Sequence, residues 1–351
     1  MAFTFASSCA GSRALASTSP GYSLVGIYVA PSGTIDVLPD GRLVALSGDS
    51  VLVQDALHAS TYTSVGSIQA GFVGSFGASF FRVSPDGTRF VVGNGEFGTG
   101  AAIGLGTFGD LGGSPATLES LAVDNFDAHW APSGLLYVAG AGALGAGVVE
   151  VTPGATFGSS TSRSIITNIG GPGGAASGGI TVDGTHLYTA NGFDFSPSDG
   201  SLTGDVHAFA LSDIASAISP LDFEADGTHV ARVLSGNDLA FDVLGNLVVA
   251  GGDFFGEQGF VSVLDASAVA STLGGGPFAT SADGQQLNPN PGETFYNSRY
   301  NASTQEILIF SQGTVYRYAI PSPAGSFALV LGLIASRRRR RDPIGVETGA
   351  E

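Results

Sequence analysis

The segment 194–205 carries residue types that bind a hard cation. Carboxylate and hydroxyl side chains alternate along it, and calcium prefers oxygen ligands of this kind. The segment lacks the acidic or amide residue at the fifth position and the glutamate at the twelfth position of an EF-hand loop. Two interpretations stay open, an ordinary polar loop, which we favour, and a calcium site. The candidate calcium ligands are Asp194, Ser196, Ser198, Asp199 and Asp205.

A second polar pair, Asp127 and His129, is separated by one residue. Side chains alternate between the two faces of a β-strand, so a strand here would place both groups on one face. Such a pair suits hydrogen bonding between neighbouring sheets, and it also suits a metal site. The sequence favours the hydrogen-bonded pair.

Common catalytic motifs are missing from the sequence. It contains no Gly-x-Ser-x-Gly elbow, no phosphate-binding loop ending in lysine and no His-Glu-x-x-His motif. The single cysteine, Cys9, excludes a disulfide framework and a cysteine-ligated zinc site. We therefore favour a non-enzymatic protein without a cofactor, with calcium as the alternative cofactor.

The charge of the chain is strongly acidic and unevenly distributed. Its 351 residues have a net charge of −17 and include no lysine. Up to Ser336, 8 arginines and 27 acidic residues give a net charge of −19, and five further arginines follow directly. Contacts to phosphate need cationic side chains, so this body is not expected to bind nucleic acid.

These residues lie within a β-rich sequence pattern that recurs six times. Turn glycines stand at 41, 87, 134, 184 and 245, with spacings of 46, 47, 50 and 61 residues, and a degenerate sixth copy spans 300–310. Asp-Gly pairs suit hairpin turns because glycine adopts positive φ without penalty. Several short strands in a repeat of 40–50 residues are typical of a β-propeller.

The repeat predicts an all-β fold, a six-bladed β-propeller formed by residues 22–319 as one domain. The run Tyr22–Ala30 is expected to complete the last blade as its outer strand, which leaves no open edge between the first and last repeats. We expect a helical turn or two at Leu211–Ile218 and no long helix. The long spacing between glycines 184 and 245 is attributed to an insert at Asp194–Thr203.

The segment Gly236–Ala250 resembles the blade starts of NHL-repeat and gluconolactonase-type six-bladed propellers. Lactonase-like members of that group hold one divalent metal in the central channel through Glu, Asn and Asp from different blades. The resemblance places Asn237 where the family has a channel Asp. The equivalent positions of other repeats hold Phe126, Ala176 and Tyr296. Even with Asp127, Ser177 and Asn297 one residue further on, these do not complete a ligand set.

The C-terminal segment 320–341 combines prolines, an apolar run and an arginine cluster. The uncharged run Ala324–Ala335 has 12 residues, and as a helix it would span about 18 Å, short of the roughly 30 Å hydrocarbon core of a bilayer. This order resembles the PEP-CTERM sorting signal. Here Ser322 replaces the usual Glu, and ten residues follow the cluster. The matching residues are Pro321, Ser322, Pro323, the run Phe327–Ala335, and Arg337, Arg338, Arg339, Arg340 and Arg341.

That resemblance implies export and C-terminal processing by an exosortase-like enzyme. The protein would be tethered to the membrane through a short apolar helix outside the propeller, and then released to the cell envelope or extracellular matrix. Residues 1–21 are expected to be disordered or a residual export segment, and residues 342–351 a disordered tail.

Together these features predict an exported β-propeller with a non-enzymatic binding or scaffold role. Its expected partners are the processing enzyme and an extracellular polysaccharide or surface protein. The alternative is a calcium-dependent hydrolase of lactonase type that acts in the periplasm or outside the cell.

Overall fold

Short apolar runs rich in valine, leucine and alanine form the strands of this protein. In β3 and β20, defined below, nearly every residue is buried, which is typical of strands covered on both faces. The computed structural model describes residues 21–113, 115–142, 145–170, 178–192, 204–252, 259–287, 297–311 and 313–321.

The strands assemble into six antiparallel sheets, and the inner strands of consecutive sheets contact one another in a closed ring. The predicted all-β, six-bladed propeller is confirmed. The first half of the chain contains β1 (Ser23–Val29), β2 (Thr34–Val37), β3 (Leu43–Ser47), β4 (Ser50–Gln54), β5 (Tyr62–Ser67), β6 (Phe81–Val83), β7 (Arg89–Gly93), β8 (Ile103–Thr107), β9 (Glu119–Leu121), β10 (Asp127–Trp130), β11 (Leu136–Gly142), β12 (Gly145–Thr152) and β13 (Thr161–Ile169). The second half contains β14 (Ile180–Val182), β15 (His186–Ala190), β16 (Gly204–Ala210), β17 (Leu221–Asp222), β18 (Thr228–Val233), β19 (Asp238–Phe241), β20 (Leu247–Gly252), β21 (Gly259–Leu264), β22 (Ala279–Thr280), β23 (Gly284–Gln286), β24 (Asn297–Asn301), β25 (Glu306–Ser311) and β26 (Thr314–Ala319).

Each blade is built on four strands that follow one another from the centre of the ring outward. Blades one to three comprise β2–β5, β6–β9 and β10–β13, and blade six comprises β24, β25, β26 and β1. Blade four contains β14, β15, β16 and β18, and blade five contains β19, β20, β21 and β23. Two extra strands from following repeats, β17 and β22, add in parallel to blades three and four, so neighbouring repeats interlock.

The predicted turn glycines connect the first two strands of five blades. All five have positive φ, between 69° and 97°. In blade six, Gln305 occupies the corresponding turn with a φ of 54°. This copy of the repeat looks degenerate in sequence because it has glutamine in place of the turn glycine, although positive φ is costly for a residue other than glycine.

Strand β1 closes the ring by pairing with β26. Its register runs antiparallel from Ser23 opposite Ala319 to Val29 opposite Thr314. This pairing is the one expected from the sequence, and it joins the start of the described chain to its last blade. The chain from Tyr22 to Ile320 forms one compact unit.

The described helices are short. They are α1 (Leu211–Ser216), α2 (Phe223–Asp226) and α3 (Ala266–Leu273), with 3-10 turns at Gly98–Gly100 and Phe108–Gly112. The carboxylate of Asp222 caps α2 by accepting the N–H groups of Glu224 and Ala225. No helix in the described part of the chain is long and apolar enough to cross a membrane.

The helices revise one sequence interpretation. The insert Asp194–Thr203 lies in a range that the structure does not describe. A second insertion, α1–β17–α2, lies between β16 and β18, and it also lengthens the spacing between glycines 184 and 245. The predicted helical turn at 211–218 is confirmed as α1.

Apolar side chains are buried mainly between adjacent blades. Between blades one and two, Val44 and Leu46 pack with Phe81 and Phe90, whose stacked rings have centroids 5.2 Å apart. Because each blade covers its neighbour, the ring is the unit of stability.

The strand directions give the ring two distinct faces. The hairpin face carries the turns between the first and second strands of each blade, such as the Gly41 turn. The crossover face carries the connections from one blade to the next and the starts of the inner strands, such as Thr34 and Asp127. We use these two names below.

Candidate functional site

Five charged side chains, one from each of the inner strands β2, β6, β10, β19 and β24, meet in the centre of the ring. We call them the channel cluster: Asp36, Arg82, Asp127, Asp238 and Arg299. Arg82 pairs with Asp127 and lies 3.7 Å from Asp238. Arg299 lies 3.2 Å from Asp36, 3.0 Å from Asp238 and 3.5 Å from Asp127. Three carboxylates and two guanidinium groups therefore share one buried site.

Each carboxylate of the cluster also joins two blades. Asp36 of blade one accepts the Val83 N–H of blade two at 2.7 Å, and Asp127 of blade three accepts the Ile180 N–H of blade four at 3.1 Å. Asp238 of blade five accepts both the N–H and the hydroxyl of Ser298 in blade six. The cluster thus fastens alternate blade interfaces at the centre of the ring.

Burial and the imbalance of charge shift the pKa values of the cluster. Burial raises the pKa of Asp36 to about 6, although Arg82 acts in the opposite direction. Burial and the neighbouring Asp127 carboxylate raise the pKa of Asp238 well above its usual range. Burial alone would lower the pKa of Arg82, but the three carboxylates raise it. A proton held by Asp238 would balance two cations with two anions.

The sequence contained a signal for this cluster. Asp36 and Arg82 each stand five residues before a turn glycine, and Asp127 and Asp238 each stand seven before one. Offsets that differ by two place residues on the same face of a strand. Charged residues at those offsets in otherwise apolar inner strands mark a buried polar centre.

The predicted pair Asp127 and His129 does connect neighbouring blades. Asp127 bonds to blades two and four, and His129 Nδ1 lies 3.5 Å from the Thr181 hydroxyl of blade four. Burial lowers the pKa of His129 to about 4, against the opposing effect of Asp127. The favoured interpretation, hydrogen bonding between blades, is confirmed.

Of the predicted calcium ligands, the structure describes Asp205. Its carboxylate accepts Arg232 Nε at 2.7 Å and Nη2 at 3.2 Å, and His229 Nε2 lies 2.8 Å from it. These partners occupy the carboxylate oxygens. Asp194, Ser196, Ser198 and Asp199 lie outside the described residues. Within the described chain, no group of three or more His, Cys, Asp or Glu residues has a geometry suited to a metal.

Beside Asp205, four aromatic rings form a continuous stack on the outer part of blade four. Phe223, His207, His229 and Phe278 follow one another with centroid distances of 4.1, 4.9 and 4.5 Å. His207 is 2% exposed, and its ring nitrogens make no hydrogen bond to any described residue. Burial and the neighbouring His229 lower the pKa of His207 to about 4.

Asn237, one of the residues singled out in the sequence as a metal-ligand candidate, precedes β19. It is fully buried, and neither atom of its side-chain amide finds a hydrogen-bond partner among the described residues. Phe126 is described, whereas Ala176 and Tyr296 are not. The sorting-signal residues apart from Pro321 also lie outside the described residues.

The crossover face contains a cleft of about 500 Å³, here called the aromatic cleft. Phe76 and Phe97 flank it with ring centroids 6.3 Å apart, and they are 79% and 61% exposed. Val73 and Phe126 add apolar surface, and Thr34 and Asn125 add polar groups. The sequence carries no single pattern for this cleft, because its residues come from three different repeats.

A second cleft of about 500 Å³ lies on the hairpin face between blades three, four and five. Its aromatic residues are engaged within the protein. Trp130 donates its indole N–H to the Arg82 carbonyl at 3.2 Å, and the Tyr188 hydroxyl donates to Asp183 at 2.6 Å. The exposed rings of the aromatic cleft make it the stronger candidate for binding a partner.

Comparisons with known proteins support the fold. No family model and no curated protein sequence matches this chain. A chain from the crystal structure of the mitotic checkpoint complex aligns with a TM-score of 0.51 at 11% identity, covering 92% of this chain and 98% of that chain. A chain of Kuenenia stuttgartiensis hydrazine synthase aligns with a TM-score of 0.50 at 16% identity, covering 80% of this chain and 74% of that chain.

Proposed function

We propose that this chain is an exported, non-enzymatic β-propeller that binds a partner at the cell envelope or in the extracellular matrix. The observation that carries the binding role is the contrast between the channel and the crossover face. Ion pairs between arginine and aspartate side chains fill the channel, whereas the aromatic cleft leaves two phenylalanine rings exposed to solvent. An exposed concave apolar surface on a stable ring is suited to a binding partner.

The fold comparisons are compatible with more than one activity. One similar chain belongs to a protein assembly and the other to an enzyme. β-Propellers with the same architecture perform many different functions, so we infer the binding role from the site and not from the fold.

The export part of the proposal comes from the tail. Pro321 and Pro323, the apolar run Phe327–Ala335 and the five arginines that follow have the order of a PEP-CTERM signal. We propose that an exosortase-like enzyme processes this segment after transient membrane contact. A polysaccharide or a surface protein would then be the partner of the released propeller.

The test of export compares the full chain with a chain ending at Pro321 in a host that has an exosortase. We expect the full chain in the envelope or medium and the shortened chain to fractionate differently. Identical fractionation of the two chains contradicts the sorting proposal. The strands are unchanged in the shortened chain, so its thermal unfolding serves as a control for folding.

One observation favours the alternative function, a calcium-dependent hydrolase. The Asn237 amide is buried and has no hydrogen-bond partner among the residues described, and the sequence resemblance to lactonase-like propellers assigns a metal ligand to this residue. The neighbouring channel carboxylates are engaged by Arg82 and Arg299 instead. A calcium titration, described in the Discussion, separates the two functions.

A further inference from the structure

Glycines keep the aromatic cleft open. Gly33 and Gly95 have φ values of 123° and 73°, and a Cβ atom at these positions would come within 2.0 Å of the Leu46 carbonyl and 1.8 Å of the Gly77 carbonyl. Gly48 and Gly77 also have positive φ, but a Cβ atom there would meet nothing within 4 Å. Two glycines thus let the backbone pack tightly, and two leave space in the cleft wall.

The shape and surface of the cleft suit an apolar side chain of a partner together with the residues that flank it. Its volume of about 500 Å³ is within the range of ligand sites, and the rings of Phe76 and Phe97 are inclined at 59° on either side. Burying these exposed rings would gain free energy in proportion to the apolar area removed from water. The Thr34 hydroxyl oxygen is buried without a hydrogen-bond partner in the described chain, and it offers one polar contact.

Two acidic residues are chain neighbours of residues that line the cleft. Glu96 is next to Phe97, and its carboxylate accepts the Ser75 N–H at 3.1 Å beside Phe76. Asp124 precedes Asn125, and its buried Oδ1 makes no hydrogen bond to any described residue. Burial raises the pKa of Asp124, as expected for a carboxylate without a cationic partner.

The charge of the surrounding surface has the same sign. The described loops of the crossover face carry Asp49, Glu96 and Asp124 and no arginine. The whole chain has a net charge of −17, so anionic partners and further copies of the chain are repelled. A cationic partner is attracted to the half-buried residues Glu96 and Asp124.

We propose that the aromatic cleft binds a basic polypeptide segment that inserts one apolar side chain between Phe76 and Phe97. A lysine or arginine next to that side chain pairs with Glu96 and Asp124. This inference rests on the proposed binding function, and it names the partner as a basic protein segment rather than a polysaccharide.

The test uses the full chain and an array of short fluorescein-labelled peptides. In each peptide, arginines flank one apolar residue, which is Leu, Ile, Met, Phe or Trp in turn. We expect at least one peptide to bind, as measured by fluorescence anisotropy, and to bind more weakly as salt is added. Replacing its arginines by glutamate or its apolar residue by glycine is expected to abolish binding.

Variants of the protein locate the bound peptide. The double variant Phe76→Ser/Phe97→Ser is expected to weaken binding at least about tenfold, as for hot-spot residues. Phe157→Ser, which removes another exposed phenylalanine on a distant loop, is the control and is expected to bind normally. Gly77→Asn fills the open wall, and Gly134→Asn is its matched control. Their φ values are 85° and 84°, and a Cβ atom at either position meets no neighbour within 4 Å.

Three results of the binding assays overturn the inference. They are failure of every peptide to bind, equal binding by the Phe76→Ser/Phe97→Ser and Phe157→Ser variants, and cleft-dependent binding of a neutral polysaccharide in place of the peptides. The proposed function is tested separately by retention of the purified protein on isolated cell envelopes. If the cleft variants are retained normally, the binding function stands and the inference about the cleft is wrong.

Discussion

Arg82 shows how much one side chain contributes to the stability of the fold at the centre of the ring. It is buried, it pairs with Asp127, and it donates Nε–H to the Ala128 carbonyl of the next blade at 3.1 Å. We expect Arg82→Met to lower the free energy of unfolding by about 3–5 kcal/mol, because it leaves the three buried carboxylates of the channel cluster with one cation, Arg299. Urea unfolding at neutral pH measures the change.

A surface arginine provides the control for this prediction. Arg42 pairs with Asp40 at 2.8 Å, but its side chain is 37% exposed. Arg42→Met is expected to change stability by less than about 1 kcal/mol, because exposed pairs contribute little. Similar losses for the two variants would contradict the structural role assigned to the channel cluster.

His207 makes stability depend on pH. Its pKa is about 4 in the folded protein, and an unfolded histidine has a pKa near 6.5. The unfolded state therefore binds more protons between these values, and stability is lost as the pH falls from about 6.5 through 4. The expected loss at pH 5 is about 2 kcal/mol. We expect His207→Phe to reduce the stability difference between pH 7.5 and pH 5 by that amount.

The partner ring Phe223 supplies a control without a titrating group. Phe223→Leu disturbs the same stack, so we expect it to lower stability equally at the two pH values. His129 and Asp36 also titrate in this range, but they are unchanged in both variants. If the stability of the His207→Phe variant depends on pH as strongly as that of the original protein, His207 is not the source of this pH dependence.

Individual residues were predictable from the sequence where a local rule governs them. The turn glycines need positive φ, and Asp127 and His129 share a strand face, so both could be predicted. The partners of Asp127 could not, because Arg82 and Ile180 lie 45 and 53 residues away in sequence. Only the closure of the ring brings them together.

At the scale of elements, the turn between β24 and β25 is the weakest copy of the repeat. Gln305 has the left-handed conformation that the other five turns give to glycine. We expect Gln305→Gly to raise the free energy of unfolding by about 0.5–1 kcal/mol, since the relief of strain exceeds the entropic cost of glycine. The change is measured by urea unfolding.

The neighbouring Ala302 serves as the control for that turn. It does not have positive φ, so Ala302→Gly should lower stability slightly by adding freedom to the unfolded chain. Stabilisation by both glycines, or by neither, would show that backbone strain at Gln305 is not the cause.

The strands were easier to predict than the segments that connect them. Strand β1 was predictable because an unassigned apolar run and a blade lacking one strand complement each other. The additions of β17 and β22 were not, because two-residue strands carry no periodic pattern. The aromatic cleft escaped prediction for a related reason, since crossover loops follow no repeat.

At the scale of the whole molecule, calcium distinguishes the two proposed functions. We expect millimolar calcium or EDTA to leave the Tm unchanged, because Asp205 and the channel carboxylates already pair with cationic side chains. Binding to a native site would stabilise the fold by about 2.7 kcal/mol at a hundredfold excess over Kd. A rise in Tm with calcium that corresponds to this gain in stability, and that EDTA reverses, would favour the hydrolase.

The pairing of β1 with β26 also brings the start of β1 and the end of β26 together on the hairpin face. Ser23 and Ala319 lie opposite each other, and the Ile320 N–H reaches the carbonyl of Gln305 in a turn of the hairpin face. The described chain therefore enters and leaves the propeller on the hairpin face, while Phe76 and Phe97 lie on the crossover face.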